Sequence, residues 1–169
     1  MNRSDVERLY DEHAEGIFRF LLSLIRHPED ARDLLQDVFV RIARSEGFMK
    51  KVKDERAFLF RMARNAAIDR SRRIGTRQRL ADTVRTESEL FAPSADPDTA
   101  AFRNGVAAAL AERPEDQRSA VYLKLWEGLT FEHVAEICAI SPNTAASRYR
   151  YGIDKLRAHL APIYKEIKP

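Results

Sequence analysis

The sequence has a single cysteine and few glycines, and both shortages exclude kinds of chemistry. Cys138 has no partner for a disulfide within the chain, which is typical of a protein of the reducing cytoplasm. The six glycines form neither a phosphate-binding loop nor a dinucleotide-binding fingerprint. No serine or cysteine stands in a nucleophile motif, and Glu132-His133 lacks the second histidine of a zinc-hydrolase helix. We therefore expect no catalytic activity and no cofactor.

Long hydrophobic runs are also missing. No stretch approaches 18 consecutive apolar residues, and the N-terminus begins polar and acidic. We expect neither a membrane span nor a secretion signal, and hence a cytoplasmic protein. Asp30, Asp33 and Asp37 recur at helical spacing, but no histidine completes a ligand set, so a solvated helix face is a better interpretation than a metal site.

Charge is present in quantity but unevenly distributed. The net charge is only +3, yet residues 56–80 hold eight arginines against one acid, Asp69. Residues 81–100 hold one arginine against five carboxylates. A basic block followed by an acidic one suggests an element that binds a polyanion and then a linker.

Apolar residues recur at three- and four-residue steps along most of the chain, which predicts an all-α fold. The predicted helices cover about Ser4–Arg26, residues 28–48, residues 55–73, a short helix after Thr99, and a helix from Pro114 that Gly128 ends. Proline and acidic residues interrupt the pattern between the third and fourth helices. We expect two small helical domains, residues 1–80 and 101–169, joined by a flexible linker over residues 81–100.

The stretch Leu129–Leu160 predicts two short helices joined by a tight turn. Thr130 is a suitable N-cap for the first helix, while Ser141 and Pro142 suit the start of the second. The exposed face of the second helix carries hydrogen-bonding groups, a guanidinium and a phenol: Asn143, Thr144, Ser147, Arg148 and Tyr151. This pattern favours a helix-turn-helix that reads the DNA major groove, although capped helix pairs also occur in bundles that bind nothing.

The third predicted helix, ERAFLFRMARNAAIDRSRR, combines aromatic residues with a dense arginine face. Basic side chains interleaved with aromatics are typical of grooves that follow a phosphate backbone and stack unpaired bases. The other interpretation is a solvated helix with aromatics in the core, which fits Phe60 better than Phe58. The arginine face comprises Arg56, Arg61, Arg64, Arg70, Arg72 and Arg73.

Two segments in this order resemble one known family. RHPEDARDLLQDVFVRIAR followed by ERAFLFRMARNAAIDRSRR is similar to region 2 of bacterial sigma factors. ERPEDQRSAVYLKLWEGLTFEHVAEICAISPNTAASRYRYGIDKLR is similar to region 4. Because no third region lies between them, the pair resembles the extracytoplasmic-function (ECF) group.

The resemblance implies a promoter-specificity subunit with three contact surfaces. Region 2 would dock on the β′ clamp of core RNA polymerase through Asp33, Leu34, Gln36, Asp37 and Phe39. The connection Val52–Phe58 and the following helix would capture a flipped base of the −10 element and hold nearby phosphates through Phe58, Arg61, Asn65, Arg72 and Arg73. Region 4 would read the −35 element through Asn143, Thr144, Ser147, Arg148 and Tyr151, and the β flap is implied as a further contact on core polymerase. Promoter DNA and an anti-sigma factor are the other implied partners.

Several positions depart from the family pattern. Phe58 stands where the family often has Trp, and Ala139 replaces the glycine of the turn. Tyr151 and Ile153 occupy places where the family often has Arg, which removes positive charge from the expected −35 surface.

Two other classes of function compete with this interpretation. A conventional helix-turn-helix regulator would bind a duplex operator without polymerase, usually as a symmetric dimer. A protein-interaction module would give the basic face between Arg56 and Arg73 nothing to bind.

Overall fold

The computed structural model describes residues 3–45, 49–74 and 105–167, with side chains described as far as residue 162. Seven α-helices form this part of the chain: α1 (Arg3–Ile25), α2 (Pro28–Arg44), α3 (Glu55–Ile74), α4 (residues 105–111), α5 (Glu115–Leu125), α6 (Phe131–Cys138) and α7 (Pro142–Ile167). A single 3-10 turn, Met49–Lys51, precedes α3. The described residues contain no strand, so the all-α prediction is confirmed. The predicted linker over residues 81–100 lies outside the described residues.

Two helix ends differ from their predicted positions. α2 ends at Arg44 rather than Phe48, because both the N–H and the hydroxyl of Ser45 donate to the carbonyl of Ile42. That pair of bonds satisfies a terminal carbonyl and stops the helix early. α5 ends at Leu125 with Trp126 as its C-cap, and Gly128 adopts the left-handed conformation (φ +63°) three residues after the helix.

Helices α1, α2 and α3 pack as one bundle. The inward faces of α1 and α2 bury leucine, isoleucine and phenylalanine, and α3 adds Leu59, Phe60 and two small alanines, Ala63 and Ala67. Small residues on α3 let its backbone approach the other two helices closely. Tyr10 is exposed, and its ring packs edge-on against Phe39 at 5.0 Å between centroids.

Helices α5, α6 and α7 form the second bundle, and apolar residues of α4 pack with Val121 of α5 and Leu156 of α7. Gly152 of α7 lies directly against Val121 of α5, where an added Cβ would come closer than 3.0 Å to Cγ2 of Val121. The two helices can therefore pack at this separation only because residue 152 has no side chain.

The two bundles share an interior. Phe20 of α1 lies 5.4 Å from both Phe60 of α3 and Tyr122 of α5, measured between ring centroids. The ring of Trp126 then stacks on that of Tyr122 at 5.5 Å. Burial raises the pKa of Tyr122 well above its usual range. One continuous apolar core therefore joins residues that lie about a hundred positions apart in the sequence.

No described helix is a candidate for spanning a membrane. None of them combines the length and the apolar character that a bilayer-spanning helix needs.

Candidate nucleic-acid interface

The helix-turn-helix forms as its local sequence predicts. The N–H of His133 donates to Thr130 Oγ1 at 3.3 Å, and that of Thr144 donates to Ser141 Oγ at 3.1 Å. Pro142 is the first residue of α7, where a missing N–H costs nothing. Between the helices, Ala139 adopts the left-handed conformation at φ 55°, the role that glycine usually takes in such turns.

The predicted recognition face lies along the first three turns of α7. Asn143 and Thr144 are exposed, and Tyr151 is 66% exposed. Ala145 points the other way and is fully buried. The hydroxyl of Thr144 also contacts Ser141 Oγ at 2.8 Å, so it takes part in the cap as well as in the exposed face. The face is therefore ordered by its own cap and by the core behind it.

Ser147 and Arg148 are half-buried members of the same face. Arg148 Nε lies 3.0 Å from Asp116 Oδ2, a carboxylate at the start of α5. An ion pair of this kind orients the guanidinium beside the exposed groups rather than leaving it mobile. Asp116 had not been predicted to take part in this face. The acidic first turn of the helix, PED, was the only available signal, and nothing in the sequence indicates that this turn faces α7.

The predicted −10 surface lies at the start and along one side of α3. Asp54 caps this helix, since the N–H of Ala57 donates to its Oδ1 at 2.9 Å. The guanidinium of Arg61 lies over the ring of half-buried Phe58, 5.5 Å from the centroid. One turn further, Asn65 is exposed. These three side chains share one side of α3, and Arg72 and Arg73 are exposed at its far end.

The arginine face is not continuous, which corrects the sequence-based interpretation. Three of its six members turn toward carboxylates of the protein itself: Arg56 toward Glu127, Arg64 toward Glu115, and Arg70 toward Asp30. The first two partners lie 71 and 51 positions away in the sequence, so helical periodicity could not identify them. Arg61, Arg72 and Arg73 remain on the surface without such a pair in the described part of the chain.

Two of these ion pairs join the bundles. Arg64 is only 8% exposed, and its Nε and Nη2 each donate to one oxygen of Glu115 at 2.9 Å. Ser119 Oγ donates to the same carboxylate at 2.6 Å. Arg56 Nη2 donates to the side chain of Glu127 at 2.6 Å and to its backbone carbonyl at 2.9 Å. Bidentate and shared contacts of this kind fix the relative orientation of the two bundles.

The predicted polymerase-binding surface divides into two layers. Asp33, Gln36 and Asp37 are exposed on α2. Leu34 and Phe39 are buried in the core of the first bundle. A partner at this surface would therefore meet the three polar groups, while the two apolar residues hold them in place from behind.

Cys138 lies at the end of α6 in the apolar core. Burial raises the pKa of its thiol to about 11, so almost none of it is thiolate at neutral pH. Cys138 is therefore a structural rather than a reactive cysteine. The described residues contain no cluster of histidine, cysteine and carboxylate groups that could hold a metal ion.

Comparison with known families gives two matches that cover most of the chain. The model of Sigma-70 region 2 matches residues 9–77, and that of Sigma-70 region 4 matches residues 103–156. The first match covers most of α1 and all of α2 and α3, and the second covers α4, α5, α6 and the first 15 residues of α7.

Characterised relatives agree along nearly the full length. The RNA polymerase sigma factor CarQ of Myxococcus xanthus is 33% identical over 164 residues, which is 95% of this chain and 92% of CarQ. The ECF RNA polymerase sigma factor SigX of Bacillus subtilis is 26% identical over 165 residues, covering 94% of this chain and 85% of SigX.

The helices superpose on a solved sigma factor. The sigma factor RpoE of Bartonella quintana, in its co-crystal structure with the anti-sigma factor NepR, matches with a TM-score of 0.73 at 26% identity. The match covers 93% of this chain and 97% of RpoE.

Proposed function

The chain belongs to the ECF sigma factors of bacterial RNA polymerase, and we propose that it reads the −35 element with α7 and holds the separated −10 strand with α3. Sigma factors are DNA-binding transcription initiation factors, and the chain accordingly takes part in promoter-specific initiation rather than in catalysis. The match to region 2 also decides against the conventional regulator, which has no use for that region.

The observation that carries the −35 assignment is the ordered polar face of α7. Its N-terminus is capped, its opposite side is buried, and Asn143, Thr144 and Tyr151 extend into solvent. A helix presented in this way can enter the major groove, where amide, hydroxyl and guanidinium groups distinguish base pairs. We assign Arg148 to a base contact because Asp116 already orients it.

The −10 assignment is supported by one side of α3, on which Phe58, Arg61 and Asn65 lie together. Arg61 stacks over Phe58, which leaves a flat cationic surface next to the amide of Asn65. A flat surface of this kind suits an unstacked base, and an amide can bond to the edge of that base. Arg72 and Arg73 continue along the helix and are suited to phosphates.

Core polymerase is the third element of the proposal. Asp33, Gln36 and Asp37 form a polar, acidic surface on α2 that no other described element covers. We assign it to the β′ clamp, and residues 101–169 to −35 recognition and to the β flap. Residues 1–80 then form the region 2 domain and residues 81–100 the connection. An anti-sigma factor is proposed as a further partner because RpoE was solved with one.

The experiment that tests the −35 assignment uses holoenzyme reconstituted from this chain and core polymerase. We expect Arg148→Ala to relax base preference at one position and to cost about 1–3 kcal/mol of binding on the preferred sequence. Binding to a set of single-base −35 variants measures this. Arg157→Ala, nine residues further along α7 at an exposed position, is the matched control. Equal weakening on every sequence would instead identify Arg148 as a phosphate contact.

A further inference from the structure

Asp116 is a carboxylate beside the helix that the proposed function places in the major groove. It lies in the first turn of α5, and its Oδ2 is 3.0 Å from Nε of Arg148, a member of the recognition face of α7. The side chain of Asp116 is 36% exposed and that of Arg148 is 29% exposed. A negative charge near the phosphates of DNA opposes binding. A carboxylate at this place therefore lowers affinity for DNA of any sequence, and its contact with Arg148 is where a compensating gain can arise.

The carboxylate of Asp116 is held in place by its own helix. Its Oδ1 accepts the N–H of Gln117 at 2.8 Å, so the backbone of α5 engages one oxygen while Arg148 pairs with the other. The N-terminal end of a helix also favours a negative charge, because the partial positive charges of the free N–H groups lie there. Asp116 is thus a fixed anchor for the arginine rather than a mobile side chain that follows it.

The packing of α5 against α7 fixes the distance between the two partners. Gly152 is four residues after Arg148 and so lies on the same side of α7. A Cβ added at Gly152 would come closer than 3.0 Å to Val121 and would lie 3.6 Å from the carbonyl oxygen of Gln117, the residue after Asp116. The ion pair is therefore one helical turn from the closest contact of the two helices. Both partners belong to the second bundle, so the pair can persist when the bundles separate.

Asp116 restricts the groups that Arg148 can reach. An unrestrained arginine beside DNA can turn to a phosphate, which every sequence presents, or to a base edge, which depends on the sequence. Contact at Nε holds the guanidinium against α5 and leaves its terminal nitrogens, Nη1 and Nη2, for two adjacent acceptors on a base edge. The charge of Asp116 meanwhile repels a phosphate that approaches the same guanidinium. Base contacts are thereby favoured over phosphate contacts.

We propose that Asp116 is a positioning residue that determines −35 specificity: it keeps Arg148 on a base edge and away from the phosphate backbone. This role of Asp116 rests on the proposed function, in which α7 reads the −35 element. It assigns part of the sequence discrimination to a residue of α5, outside the recognition helix. It also has an unusual consequence, because removal of Asp116 should make binding to the wrong sequences tighter.

The test compares holoenzymes that contain the unmodified chain or Asp116→Ala, on duplexes that differ at single base pairs of the −35 element. At the position that Arg148→Ala affects, we expect the ratio of affinities for the preferred and the mismatched base pair to fall by about fivefold or more. Affinity for the mismatched duplexes should rise, and its salt dependence should become steeper by about one phosphate contact. A merely structural role of Asp116 would weaken binding to all duplexes in proportion, and that result would overturn the proposal.

Two comparisons identify the route by which Asp116 acts. Asp154→Ala removes a carboxylate from an exposed position of α7 outside the recognition face, and it should leave the ratio unchanged. In an Arg148→Ala background, Asp116→Ala should alter neither the ratio nor the salt dependence, since no guanidinium is left to position. An equal fall of the ratio with and without Arg148 would show that Asp116 acts through another group, and the proposal would be wrong.

Arg148→Ala distinguishes a wrong role for Asp116 from a wrong assignment of α7. If Arg148→Ala relaxes base preference but Asp116→Ala does not, Asp116 has no part in specificity and the −35 assignment stands. If Arg148→Ala weakens binding to every duplex equally, Arg148 is a phosphate contact, and both its assignment to a base and the role of Asp116 are wrong.

Discussion

At the scale of single residues, the arginines of α3 are distinguished by the carboxylates that surround them. Arg64 is buried, and its partner Glu115 receives three hydrogen bonds from side chains. Arg73, on the same helix, is exposed. Removing one member of a buried pair leaves the other charge desolvated and uncompensated, whereas an exposed guanidinium keeps its hydration. The same substitution should therefore have very different consequences at the two positions.

Arg64→Ala is expected to lower the free energy of unfolding by about 2–4 kcal/mol, because Glu115 would lose its bidentate partner. Arg73→Ala, the matched control on α3, should change it by no more than about 0.5 kcal/mol. Urea denaturation followed by circular dichroism measures both. Similar small effects at the two positions would show that the Arg64–Glu115 pair contributes nothing net to stability.

The sequence could not distinguish these arginines from one another. All the arginines of α3 look alike in a helical projection, and the carboxylate of Glu115, which pairs with Arg64, lies 51 positions away in the sequence. Capping residues are different, because their partners are three positions away at most. The side chains of Thr130 and Ser141 therefore cap the helices that the sequence predicts for them.

At the scale of elements, periodicity predicts where helices lie and capping predicts where they begin. The predicted end of α2 was wrong because the hydroxyl and the N–H of Ser45 both donate to the carbonyl of Ile42, and these bonds replace the next turn of the helix. The spacing of apolar residues contains no information about such hydrogen bonds. The turn at Ala139 formed even without glycine, since the caps and apolar faces on both sides of the turn determine the path of the chain.

Helix α3 has two sides with different roles. One side holds Arg56 and Arg64 against the second bundle, and the other presents Phe58, Arg61 and Asn65. A substitution on the presented side can therefore alter DNA contacts without disturbing the packing. Asn65 is the clearest choice, because its amide is exposed and no described hydrogen bond depends on it.

Asn65→Ala should reduce open-complex formation on duplex promoters, because an amide contact to the captured base is lost. Affinity for core polymerase and for duplex −35 DNA should be unchanged. A template already unpaired across the −10 element should restore only part of the activity, since the melting cost is removed but the base contact is still absent. Permanganate footprinting and abortive transcription report the result. Full activity of the variant on ordinary duplex promoters would contradict the assignment.

At the scale of the whole molecule, the shared core imposes a constraint on promoter binding. A compact chain of 169 residues has a radius of gyration of about 15 Å, and hence a diameter of about 40 Å. Promoter positions −35 and −10 are about 25 base pairs apart, or roughly 85 Å of duplex. A chain in this packed arrangement cannot contact both elements at once. Under the proposed function, the two bundles must separate on the promoter.

This packing could not be predicted from the sequence, because the apolar pattern of each half can be explained by a core within that half alone. Aromatic residues such as Phe20 and Tyr122 fit a core within either bundle, and only the folded chain brings their rings together. Apolar periodicity predicts which face of a helix is buried, but not which element buries it. Two surfaces that pack together in one state and separate in another are therefore difficult to recognise from the sequence.

Covalently joining the bundles should therefore block initiation. Gly16 of α1 and Glu127, which follows α5, are neighbours, since a Cβ at residue 16 would lie 3.2 Å from Glu127 Oε1. Neither residue belongs to a proposed DNA or polymerase surface. We expect Gly16→Cys with Glu127→Cys, in a Cys138→Ser background and joined by a short bis-maleimide, to bind duplex −35 DNA but to lose promoter-specific transcription with core polymerase.

The controls separate the effect of the link from the effect of the substitutions. The same variant treated with a monofunctional maleimide carries identical replacements and adducts but no link, and it should initiate transcription. Each single-cysteine variant treated with the bis-maleimide serves the same purpose. Since the packed chain spans less than half of the distance between the two elements, a linked chain that still initiated at the unlinked rate would mean that promoter contacts do not require the bundles to separate.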